Sequence, residues 1–193
     1  MKAVVIYAHP NPMSFNAAIT AVVKEELEKK GAEIIFKDLY AMNWNPVLSA
    51  GDFEGYHRGN VPEEIKTEQA DISWADALIM VAPVWWTSVP AILKGYIDRV
   101  FSIGFAYEYS AAGPRGMLNG KKALLITTSG TDERAAQQNG MVDLITKSVV
   151  NAVFGFSGFA QYQHKNFFAV PTVADNVRKE MLTELRQLIQ DNI

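Results

Sequence analysis

The chain reads as an α/β doubly wound sandwich, a five-stranded parallel sheet in the order 2-1-3-4-5 with helices on both faces, forming a single domain over residues 1–193. Three observations carry that reading. Leu78 to Ala82 is a short, continuous apolar run, as expected of a parallel strand covered on both faces by helices. Strand-like runs alternate with helix-period segments, the βαβ pattern of a parallel sheet. At 193 residues the chain is long enough for one full hydrophobic core, and nothing marks a second domain.

Ala3 to Tyr7 is the first strand. A loop with two prolines, Ala8 to Ser14, leads into a helix carrying Ile19, Val22, Val23 and Leu27 on one face, with Gly31 placed to end it. Ile34 to Phe36 begins the second strand and completes a βαβ unit with the usual right-handed crossover. The intervening loop, His9-Pro10-Asn11-Pro12-Met13-Ser14-Phe15-Asn16, precedes a helix N-terminus, where unpaired backbone N–H groups favour an anion. Ser14 suits the N-cap and His9 a contact to a pyrophosphate, although an ordinary cap and an exposed loop histidine would read the same way. Asp38 to Pro46 is an irregular loop with buried aromatics, and the polar interval from Ser49 to Glu64 reads as a long surface excursion. A helix from about Glu63 to Trp74 follows, with Gln69 on a solvated face.

The central strand runs into Pro83, Val84, Trp85, Trp86, Thr87 and Ser88, and Pro90 suits the first turn of the next helix. In open α/β sheets ligands bind at the carboxyl ends of the strands, and adjacent tryptophans there suit a flat aromatic ring better than a sugar or a metal. Two aromatics merely closing one end of the sheet are the alternative. Gly104 to Tyr109 is an extended segment with Tyr107 and Tyr109 on the same side. The fourth strand, Ala123 to Thr127, delivers Thr127, Thr128, Ser129 and Gly130 beside the tryptophan loop in the 2-1-3-4-5 order, and small residues there let backbone N–H groups approach a ligand. A helix from about Met141 to Val153 leads to the last strand, with Phe167 and Phe168 near its end. The final helix, from Thr172, places Val177, Met181, Leu185 and Leu188 on one stripe.

Composition narrows the chemistry. Eighteen Lys and Arg against 21 Asp and Glu give a net charge of −3 without a basic stripe, which argues against nucleic acid as a partner. The absence of cysteine removes disulfides, thiolate catalysis and cysteine metal sites together. His9, His57 and His164 show no ligand spacing, so no metal is expected. No apolar run approaches the ~18 residues needed to span a bilayer, and the first strand starts without a separate export segment. The expectation is a soluble, cytoplasmic protein with no membrane insertion.

PVWWTSVPAILKGYIDRVF, followed by GFAYEY, resembles the flavin loop, following helix and substrate-pocket segment of the NAD(P)H:quinone oxidoreductases with a flavodoxin-like fold, in the short form related to DT-diaphorase and modulator of drug activity B. Asp38 to Pro46 is similar to the same family, and the likeness covers most of the chain. The resemblance implies that His9, Ser14, Phe15 and Asn16 contact the diphosphate and ribose of FAD, with Gln69 and Arg178 near the adenine. It implies that Pro83, Val84, Trp85, Trp86 and Thr87 on one loop, and Thr127, Thr128, Ser129 and Gly130 on another, hold the flavin ring. Tyr107, Tyr109 and Phe156 would line the quinone or nicotinamide pocket of a partner subunit, which makes a homodimer with sites at its interface. The implied activity is two-electron reduction of quinones by NADPH or NADH in ping-pong hydride transfer, with no catalytic side chain because the flavin carries the chemistry. Departures are also visible. Ser129 stands where the family has glycine, and the Tyr and His that help balance charge on the reduced flavin have no counterpart between Asp132 and Met141. The extra C-terminal domain of larger relatives has no counterpart either. FMN is the alternative to FAD. Rival readings are a flavin-binding regulatory or electron-transfer subunit that meets a protein partner, and an azo or nitro reductase.

Overall fold

A computed structural model describes residues 1–193. In chain order the elements are β1 (Lys2–Tyr7), α1 (Phe15–Lys29), β2 (Glu33–Asp38), α2 (Ala50–Arg58), α3 (Glu63–Trp74), β3 (Ala77–Pro83), α4 (Ala91–Val100), β4 (Tyr107–Ser110), β5 (Gly113–Gly116), β6 (Lys122–Thr128), α5 (Glu133–Gln138), α6 (Met141–Ile145), a π-helix (Thr146–Gly155), β7 (Gln161–Phe167) and α7 (Asp175–Asn192). The sheet runs β2-β1-β3-β6-β7, every pairing parallel. This is the expected 2-1-3-4-5 order once β4 and β5, a separate antiparallel hairpin, are set aside.

The continuous apolar run of β3 has a direct cause. Leu78, Met80 and Ala82 face a core built with α3, α4 and the π-helix, while Ala77, Ile79 and Val81 face a second core against α1 and α7. Both faces are covered, so alternation with polar residues is lost.

Three elements depart from expectation. The interval from Ser49 to Glu64 holds α2, opened by a capping box between Ser49 and Asp52 and closed by Gly59 in the left-handed region at φ 68°. Apolar periodicity could not show it, because its buried residues are Asp52 and Gly55 rather than a hydrophobic stripe. Asp52 is buried against Arg99 of α4, whose guanidinium also reaches Glu64 and the Asn45 carbonyl and stacks over Trp44. The expected helix from Met141 to Val153 is a short α6 that widens into the π-helix, which places Val149, Val150 and Phe154 in the core. Ahead of it α5 is an additional helix, separated by Gly140 at φ 70°.

Register sets the site. The Ala8 N–H donates to the Val81 carbonyl at 3.0 Å, Pro83 pairs with Thr128, and the Val84 N–H donates to the Thr128 carbonyl at 2.7 Å. The loops leaving β1, β3 and β6 therefore start side by side, at the carboxyl edge of the sheet.

Candidate functional site

These loops enclose a cleft of about 320 Å³. From the first loop and α1 it takes His9, Ser14, Phe15 and Asn16; from the second, Pro83, Val84 and Trp85; from the third, Thr128, Ser129 and Gly130. Val170 and Pro171, from the turn after β7, complete the wall. Sequence reading missed those two, although Pro171 close after the last strand marks a turn at the same sheet edge.

Ser14 caps α1, its hydroxyl accepting from the Ala17 N–H at 3.2 Å. Tyr7 donates its phenol proton to the Asn11 carbonyl at 2.9 Å, so the Ser14 hydroxyl, 3.1 Å from the phenol oxygen, is the donor there. The Ser14 side chain is thus taken up within the protein. The backbone N–H groups of Phe15 and Asn16 behind it have no partner, and they are the anion donors of this helix start. The ring of His9 accepts the Asn11 N–H on Nδ1 at 3.0 Å, and burial holds its pKa below the ordinary value. The neutral imidazole consequently carries its proton on Nε2 and acts as a hydrogen-bond donor.

Asn16 is 3% exposed and donates Nδ2 to Thr128 Oγ1 at 2.9 Å, tying the first loop to the third. Its Oδ1 is buried with no partner in the chain. A buried orphan acceptor beside a cleft is the kind of group a bound ligand satisfies.

The second loop is a tight reversal. Trp85 and Ser88 exchange both backbone hydrogen bonds, at 2.9 and 3.1 Å, and Trp86 and Thr87 between them have φ of 51° and 59°. This is the positive-φ pair of a two-residue hairpin, a place that asparagine and glycine favour and a β-branched residue does not. Trp85 packs against His9, ring centroids 6.0 Å apart, and forms the aromatic wall of the cleft. Trp86 is 100% exposed and lies outside it, so the wall is the first tryptophan rather than the second.

The third loop is tied down by hydrogen bonds. Ser129 is 4% exposed and donates its N–H to the Phe167 carbonyl, while its own carbonyl accepts from Val170. The Gly130 N–H has no partner. A Cβ on Gly130 would meet only Pro171, at 3.9 Å, so packing within the chain does not require glycine there. The Thr127 side chain is fully buried and hydrogen-bonded to His164 and Asn166, which leaves it facing away from the cleft.

The remaining expected residues lie elsewhere. Gln69 is half-buried rather than solvated, and its amide donates to the Val100 carbonyl and Ser102 Oγ. Arg178 donates to the Val170 and Val173 carbonyls and pairs with Asp175. Both side chains are engaged within the chain rather than free to reach an adenosine. Tyr107, Tyr109 and Phe156 do come together, with centroids 5.8 Å apart for the tyrosines and 5.1 Å for Tyr107 and Phe156. Tyr107 and Phe156 border a separate cleft with Ile97, Phe101 and Val153, Tyr109 packs on Tyr107 outside it, and Tyr109 and Phe156 are 67% and 43% exposed. No group of three His, Cys, Asp or Glu side chains has metal-ligand geometry, and no helix is long and apolar enough to cross a membrane.

A family model described as the flavodoxin-like fold matches residues 1–189. An NAD(P)H oxidoreductase of Haemophilus influenzae, described as uncharacterised, is 34% identical over 98% of this chain and 95% of its own length. NAD(P)H dehydrogenase (quinone) 1 of Cavia porcellus is 31% identical over 98% of this chain and 76% of its own. Among solved structures, the NAD(P)H:quinone oxidoreductase of Methanothermobacter marburgensis superposes with a TM-score of 0.89 at 26% identity, covering 99% of this chain and 96% of that one.

Proposed function

The chain belongs to the flavodoxin-like family of NAD(P)H:quinone oxidoreductases and is an oxidoreductase of that kind, and on this premise we propose that it binds a flavin in the cleft between its three loops and reduces quinones with NAD(P)H. One observation carries the reading. Unpaired N–H groups at Phe15, Asn16 and Gly130, an orphan buried acceptor on Asn16 and an aromatic wall at Trp85 all converge on one cleft. That donor set fits a flavin nucleotide, which needs an anion site, a flat apolar surface and hydrogen-bond donors at the ring edge.

A bound flavin would supply the two-electron chemistry, passing electrons from NAD(P)H to quinone without a side-chain nucleophile. The chain's own residues bind and orient. Phe15 and Asn16 N–H groups, with His9 Nε2, would hold the phosphates, where the α1 N-terminus adds a favourable field. Trp85 would lie against the ring, and the Gly130 N–H would meet the edge where negative charge develops on reduction. Asn16 would satisfy its free oxygen on the ligand.

We assign FAD as the cofactor, with FMN the alternative. The donors at Phe15, Asn16 and His9 serve either, and with Gln69 and Arg178 engaged inside the chain, an adenosine would rely on Asn16 and the Val170–Pro171 rim. Mass spectrometry of the flavin released from native protein separates the two. The aromatic cluster of Tyr107, Tyr109 and Phe156, half open and apart from the cleft, suits a homodimer in which it covers the partner's site, and we place the protein in the cytoplasm. Steady-state NADPH or NADH oxidation with a soluble quinone, and no other protein present, tests the function. Turnover supports the enzyme. Bound flavin with no turnover would point instead to a subunit that serves a protein partner, and turnover of azo or nitro compounds alone would move the substrate class.

A further inference from the structure

His164 lies on β7, one strand beyond the cleft, and does not line it. A chain of side chains nevertheless ties its ring to the third loop, and the direction of each bond is forced by donor capacity. Ser129 Oγ lies 3.1 Å from the Thr131 carbonyl, which can only accept, so the hydroxyl proton goes there. The Ser129 oxygen then receives Asn166 Nδ2 at 3.1 Å, which turns Asn166 Oδ1 toward Thr127 Oγ1 at 2.7 Å. Thr127 gives its one proton to that oxygen. Facing His164 Nε2 at 2.7 Å, Thr127 can therefore only accept, and the imidazole carries its proton on Nε2. His164 Nδ1 is left bare and takes the Thr146 hydroxyl at 3.0 Å. All of these bonds run one way, from the π-helix to the cleft loop.

The amide of Asn166 in the middle cannot pass a proton along, so the chain holds geometry rather than conducting charge. What it holds is Ser129. With the Ser129 N–H on Phe167, its carbonyl on Val170 and its hydroxyl between Asn166 and Thr131, the following planar peptide has one orientation. The Gly130 N–H lies opposite the fixed carbonyl and is left unpaired. Thr127, Ser129 and Asn166 are 0%, 4% and 6% exposed, so no water competes for these bonds.

We propose that His164 is a positioning residue for the cleft: as an Nε2–H donor it closes a one-way hydrogen-bond chain that fixes Ser129 and so keeps the Gly130 N–H presented to the flavin. The inference rests on the reading that a flavin occupies the cleft. It assigns a role to a β-strand histidine outside the cleft and outside the residues that the family resemblance supplied.

Nitrogen NMR of the imidazole in flavin-free protein tests the first half. A single Nε2–H tautomer with a slowly exchanging proton is expected, and an Nδ1–H ring or an averaging mixture would overturn the chain. The second half is tested by two amides that differ in reach. In H164Q the Gln Nε2 falls where the His Nε2 donor was, whereas in H164N the shorter side chain leaves Thr127 without it. H164Q should retain hydrogen-exchange protection of the Ser129 and Val170 amides in flavin-free protein, and H164N should lose it. H164N should also bind FAD roughly tenfold more weakly than H164Q, and its preference for reduced over oxidised flavin should fall by up to about tenfold, or ~30 mV for a two-electron couple. Equal exchange and equal affinity in the two variants would overturn the positioning role while leaving the proposed function intact. An unmodified protein that binds no flavin would remove the proposed function, and with it the flavin as the object of the positioning, whatever the tautomer.

Discussion

The loops that follow β3 and β6 start at the same level of the sheet and face one cleft, yet they are held in opposite ways. The 84–89 loop is short and held by its own backbone. Trp85 and Ser88 clasp it shut, Trp86 and Thr87 are held at positive φ, and the Trp86 side chain is wholly exposed. The 128–131 loop has no positive φ at all, and buried side chains of the neighbouring strand β7 brace it. One loop keeps strain at its tip, and the other is over-determined from behind. The difference leaves Trp85 set by its own short hairpin and the Gly130 N–H set by the strand behind it.

Variants on the two loops should separate these designs. The largest effect belongs behind the braced loop. Asn166→Leu leaves the Thr127 proton and the Ser129 oxygen without partners in a dry interior, and should cost ~2–4 kcal/mol in urea unfolding. A loss below ~1 kcal/mol would mean that the network does not brace the loop.

Acid should act at the same place. Burial lowers the pKa of His164 to about 4 from the usual 6.5, so as pH falls the unfolded chain takes up this proton before the folded one does. The stability that the neutral ring confers is fully present above pH 6.5, and drains away between pH 6.5 and 4 by ~3 kcal/mol in all. H164Q should flatten that part of the stability profile relative to the parent. Parallel profiles would contradict the assignment.

Next in size come effects on the ligand rather than the fold. Trp85→Ala and Gly130→Ala, on the facing loops, should each weaken flavin binding by ~1–2 kcal/mol, about 5- to 30-fold, while melting temperatures stay near the parent value. Affinity unchanged from the parent in both variants would place the ring elsewhere. Trp86→Ala should leave stability within ~0.5 kcal/mol, since the side chain makes no buried contact. One small effect is a gain. Thr87→Gly relieves a β-branched residue at positive φ and should stabilise the protein by ~0.5–1 kcal/mol after the entropy cost of glycine. A net loss would mean that Thr87 makes interactions that outweigh its strain.

The same contrast explains what could be read from the sequence. The parallel sheet was legible because burial on both faces writes a continuous apolar run at β3, and the convergence of the loops follows from the strand order. His9, Ser14 and Gly130 were legible because caps, turns and anion sites have local residue signatures. The α2 helix was missed although Ser49, Asp52 and Gly59 carried its capping signals, because its buried face is polar and answers to Arg99, 47 residues away in the chain. The brace behind Ser129 has no local signature. Asn166 and His164 acquire their roles only when β7 lies beside β6, which no spacing in the sequence announces. That Trp85 lines the cleft while Trp86 is wholly exposed was not legible for a similar reason, since it depends on the positive-φ pair at the tip of the loop.

The central claim is that one flat redox ring lies between Trp85 and the Gly130 amide. A crystal structure of the protein grown with FAD tests it most directly. The account predicts the ring against Trp85 with one edge within hydrogen-bond distance of the Gly130 nitrogen, and the phosphates at the N–H groups of Phe15 and Asn16. Density for the ring elsewhere on the molecule, with those amides still unpaired, would contradict it.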